Sequence, residues 1–107
     1  MDNVKEIAIL EMVSNFLGSV LSELEGDVVT SIYMVENEQL PDDMKQRLFD
    51  VIEYYNSLVD VKNTVDIVRY EGTLEDMSEL IERLSEIKDL LPDDLRSALE
   101  DYTGKIN

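Results

Sequence analysis

The chain has 107 residues, of which 44% are hydrophobic, and 25 acids against 9 bases give it a net charge of −16. By length it is a single acidic domain, 1–107, with enough Leu, Ile and Val at regular spacing to build a core and to exclude disorder. It contains no Cys, His or Trp, which excludes disulfides, thiolate zinc sites, thiol nucleophiles and the commonest general base, while the charge repels nucleic acid and anionic membranes and favours basic partners.

The start, "MDNVKEIAILEMV", has acids where a secretory leader carries bases, and Glu11 interrupts its apolar run. No stretch approaches 18 consecutive apolar residues, so no membrane span is expected and the protein reads as cytoplasmic.

Residues 3–24 read as the first helix. Ile7, Leu10, Val13, Leu17, Val20 and Leu24 form one stripe, which Ile9, Met12 and Phe16 widen. So broad an arc suits a central helix touched by several neighbours. Ser14, Gly18 and Ser22 repeat every four residues on the remaining face. Small residues there suit a close helix crossing within the chain or a homodimer seam.

"EGD" at 25–27 reads as a break, with Gly26 ending one helix and Asp27 capping the next. "VVTSIYMV" at 28–35 is β-branched, yet its spacing and its helical neighbours favour a second helix. "LPDD" at 40–43 reads as a helix start, and Asp43 with Gln46 has capping-box spacing. Met44, Leu48, Val51, Ile52, Tyr55, Leu58 and Val59 then form a helical stripe, with Val61, Val65 and Val68 as its continuation. "KNT" at 62–64 is a candidate bend, and "VDIVRY" at 65–70 is open to a short strand as the alternative.

"EGT" at 71–73 is the next break, with Gly72 as terminator and Thr73 as cap of a further helix. "LPDD" returns at 91–94, 51 residues after its first occurrence. At that offset Val29 and Tyr33 match Leu80 and Leu84, and Met44 and Leu48 match Leu95 and Leu99. The pattern suggests two helix–LPDD–helix hairpins, by duplication or by shared helix-start chemistry. The expected fold is all-α: a compact bundle of about five helices, with the two hairpins packed on a central N-terminal helix and a tail that frays beyond Gly104.

Motifs for chemistry are missing. Four scattered glycines make no phosphate loop, and without His or Cys there is no catalytic triad and no Glu-x-x-His di-iron site. The doubled acids of "LPDD" suit helix capping better than a divalent ion. The bases, at 5, 45, 47, 62, 69, 83, 88, 96 and 105, form no patch for phosphates. Neither an enzyme nor a cofactor is expected.

The helix after Thr73 carries a second stripe besides its apolar one. Glu75, Glu79, Glu82, Glu86 and Asp89 step by three and four, with Arg83 and Lys88 beside the row and a Glu79–Arg83 pair expected. Solvated faces usually mix charges, because i,i+4 pairs of opposite sign stabilise helices. A row of acids forgoes that gain, so it is either a plain solvated face in an acidic protein or a surface for a basic partner. Asp50, Glu53 and Tyr54 add acids around a tyrosine, a residue favoured at interfaces. In size and charge the chain resembles small acidic phage and mobile-element proteins that inhibit nucleic-acid-handling enzymes; this likeness of composition transfers no residue. The expected function is to modulate or inhibit a partner by occupying its basic nucleic-acid-binding surface. The alternative is a structural or assembly protein, such as an oligomeric subunit or small chaperone.

Overall fold

A computed structural model describes residues 3–106. They form four α-helices, α1 (Val4–Asn37), α2 (Asp42–Glu71), α3 (Leu74–Ser85) and α4 (Asp93–Ile106), with one 3-10 turn at Lys88–Leu90. The all-α class holds; the count of about five helices does not. The "EGD" break is absent, because α1 runs through Gly26 and on through residues 28–35. The expected central N-terminal helix is therefore the first half of a longer one. One glycine costs a helix about 1 kcal/mol, too little to end it between two apolar segments. Nor does α2 bend at 62–64 or turn to strand at 65–70. Gly104 does not end α4, which reaches Ile106; residue 107 lies outside the described residues.

Both "LPDD" segments start helices, and in the same way. The Pro41 carbonyl accepts from the Lys45 N–H at 3.0 Å, and the Pro92 carbonyl from the Arg96 N–H at 2.8 Å. The Asp43–Gln46 capping box does not form; the Gln46 amide donates to Asp50 instead. Thr73 does cap α3, in a reciprocal capping box with Asp76.

Gly72 follows the end of α2 but has no positive φ. Its role is close approach: a Cβ there would lie 2.6 Å from the Val68 carbonyl, whereas one on Gly26 would meet nothing within 4 Å. The same substitution should thus have opposite signs. Gly72→Ala is expected to destabilise by about 1–3 kcal/mol, and Gly26→Ala to stabilise by about 0.5–1 kcal/mol. Urea unfolding followed by circular dichroism measures both.

The chain divides into two compact units, Met1–Asn15 with Asn63–Asn107, and Phe16–Lys62. The first holds most of the core. Ile9, Leu10 and Val13 of α1, Val65 of α2, Met77, Ile81 and Leu84 of α3, and Leu95 and Leu99 of α4 are all buried there. Each helix sends residues at three- and four-residue spacing into this core.

The second unit is a two-helix hairpin, in which Leu17 and Val28 are the buried apolar residues. Val29, Ile32, Tyr33, Met44, Phe49, Tyr54 and Val61 are exposed within it. A pair of helices has a single seam to bury, so apolar residues off that seam meet solvent. By length and composition alone, α1 is apolar enough to cross a membrane. No membrane span is expected from the sequence, because no stretch approaches 18 consecutive apolar residues; five residues of α1, Ile9, Leu10, Val13, Leu17 and Val28, are buried side chains.

Candidate functional site

The acidic row begins as expected and then leaves the helix. Glu75, Glu79 and Glu82 lie on α3 and are exposed. Along the axis they rise by about 6 Å and then about 4.5 Å. Glu86 is the C-cap, its N–H turned back to the Arg83 and Leu84 carbonyls. Asp89 sits in the 3-10 turn, also exposed. The helix ends at Ser85, and the chain continues through a 3-10 turn to Leu91, which is extended at φ −104° and ψ 158°, as the residue before a proline prefers. One straight helix carries three of the five acids, and the other two follow on the turn.

Among the described residues no ion pair joins a cation to the row. The expected Glu79–Arg83 pair is not formed, although both residues line a shallow cavity of about 160 Å³ with Asp76 and Leu80. Elsewhere in this unit Lys88 pairs with Glu100 at 3.6 Å, Arg69 with Asp66 at 3.5 Å, and Arg96 with Asp93. These three cations are engaged away from the row.

Asp50, Glu53 and Tyr54 lie on the part of α2 that belongs to the hairpin unit, and all are exposed. Tyr54 is 57% exposed, and Asp50 accepts from Gln46 at 2.9 Å.

The small-residue face of α1 meets the chain's own α2 at two of its three positions. Ser14 is buried and donates to Asp66 at 2.6 Å. Gly18 faces Lys62, whose Cε would lie 3.5 Å from an added Cβ. That is ordinary contact with a flexible side chain, so no backbone presses on Gly18 as expected. Ser22 is exposed.

Three features escaped the sequence reading. Glu6 is buried, 6% exposed, and its Oε1 has no hydrogen-bond partner. Its spacing of four before Leu10 places it on the core stripe, a signal legible in the sequence. The Tyr102 hydroxyl, 2.9 Å from Ser78 Oγ, also meets this carboxylate. Finally, Arg69 stacks on the Tyr70 ring at 4.4 Å beside a cleft of about 490 Å³ lined also by Ile7, Glu11 and Asn15.

Burial raises the Tyr102 pKa above the ordinary 10.0; the Ser78 hydrogen bond opposes this, while Glu6 and the charge of Glu82 add to it. The folded state thus favours the neutral phenol. The stability this contributes is complete below the unfolded value of 10.0 and is lost as pH rises through the raised one. In urea titrations from about pH 8 to pH 11, Tyr102→Phe should lose stability less steeply than the native chain. Parallel curves would show that Tyr102 contributes no such component.

Among the described residues no group of three or more Asp or Glu converges to hold a metal ion. Compared with protein-family models, curated proteins and solved structures, the chain has no match.

Proposed function

We propose that this protein is a small acidic binding protein that modulates or inhibits a partner by occupying its basic, nucleic-acid-binding surface. One observation carries the reading: Glu75, Glu79 and Glu82 stand exposed and unpaired on a single capped helix. Their rise of about 4.5–6 Å is of the same order as, though wider than, the roughly 3.4 Å between phosphates along one strand of a duplex. Glu86 and Asp89 carry the charge past the end of the helix. Leaving these acids unpaired costs the helix the small gain of i,i+4 pairing, a cost that binding to cations offsets. The role is one of binding rather than catalysis, in the cytoplasm.

The assembly alternative has less support on its original face, since Ser14 and Gly18 meet α2 of the same chain.

The test is capture from cells of the source organism on immobilised protein, at low and at high ionic strength. A basic nucleic-acid-binding protein retained at low salt and released steeply with rising salt supports the reading. Retention that persists or tightens with salt points to apolar assembly and counts against it.

A further inference from the structure

The two hairpins share an apolar pattern but bury it differently. At the offset of 51 residues Val29, Tyr33 and Met44 correspond to Leu80, Leu84 and Leu95. Leu84 and Leu95 are 6% and 2% exposed, in the core beside α1 and α2. Val29, Tyr33 and Met44 are 61%, 61% and 43% exposed. In the first unit, positions of this kind are covered by apolar-striped helices; in the hairpin unit no part of that unit covers them.

Val29, Ile32 and Tyr33 are spaced i, i+3 and i+4, so they form one continuous row on α1. Glu25 and Glu36 lie at the two ends of the same face, exposed. The unit as a whole holds ten acids and three bases between residues 16 and 62. An apolar row rimmed by acids is complementary to a helix whose apolar stripe is flanked by cations. A second copy of this chain would bring another acidic rim against the first.

We infer that the row Val29–Ile32–Tyr33, between Glu25 and Glu36, is a docking face for an amphipathic helix that carries lysine or arginine beside its apolar stripe. It rests on the reading that the partner is basic. The docking face is an apolar face of the hairpin unit, separate from the acidic row of α3. Glu25 and Glu36 supply attraction to the flanking cations and the apolar row supplies the short-range seat.

The test uses the full chain and three labelled peptides, with binding followed by fluorescence anisotropy. One is made of leucine and lysine patterned as an amphipathic helix. The second has the same composition with the pattern scrambled, and the third replaces lysine by glutamate. The chain variant is Val29→Gln with Tyr33→Gln, which leaves the charge and the exposed helix unchanged, as circular dichroism would verify. The patterned lysine peptide should bind the native chain saturably and bind the variant with a Kd raised about tenfold or more. Equal binding of the scrambled lysine peptide, or an unchanged Kd in the variant, would overturn the docking face and leave the basic-partner reading standing. Equal binding of the glutamate peptide would overturn the basic-partner reading and the occupant inferred from it, leaving an apolar face alone.

Two further outcomes would overturn the proposal by naming another occupant. Self-association of the native chain that the variant abolishes would assign the face to a second copy. Sedimentation with phosphatidylcholine vesicles that the variant abolishes would assign it to a membrane.

Discussion

Leu10→Ala is expected to destabilise the protein by about 2–5 kcal/mol. Leu10 is fully buried in the core shared by all four helices of the first unit. Removing most of its side chain forfeits the transfer free energy and leaves a cavity that neighbours on four helices cannot close together. A domain of ordinary stability, about 5–15 kcal/mol, would lose a large part of it. Leu90→Ala is the matching control, since Leu90 is 80% exposed and its loss should stay within about 0.5 kcal/mol. Chemical unfolding of both variants measures the contrast, and equal losses would contradict this placement of the core.

The second large effect is on binding. Glu75, Glu79, Glu82 and Glu86 replaced together by glutamine should leave the fold intact, because size and helix propensity barely change. Stability should hold or rise slightly as like charges disappear. Each lost charge-assisted contact costs on the order of 1 kcal/mol, so affinity for a basic partner should fall about a hundred- to a thousand-fold. The dependence of binding on salt should flatten at the same time. A variant that binds as the native chain does would reduce the row to a solvated face.

The parts of this fold legible in the sequence are those set by local chemistry. The two "LPDD" starts, the Thr73 cap and the end of α2 before Gly72 stand where the residues imply. The β-branched segment at 28–35 is helical, as its spacing suggested. What failed was the weight given to single breakers. Gly26 and "KNT" at 62–64 are tolerated inside long helices, since apolar segments on both sides outweigh the local cost.

The candidate site was legible as residue types but not as geometry. Spacing identified the acids of α3, yet it extended the helix past Ser85, where the chain passes into a 3-10 turn although the three- and four-residue spacing of acids continues. Periodicity also assigned Met44 to a packed stripe, and the residue is 43% exposed. A pattern shows which residues share a face. It does not show whether another element is there to cover that face, and in the hairpin unit residues such as Met44 stay exposed.

The proposed occupation of a nucleic-acid-binding surface is tested most directly by competition. With a captured partner held on the immobilised chain, duplex DNA is added at constant ionic strength and the partner released is measured. Release that rises with duplex concentration to completion is expected, because both ligands would occupy one basic surface. A partner that stays bound at saturating duplex, while itself binding that duplex, would contradict occupation of the nucleic-acid site.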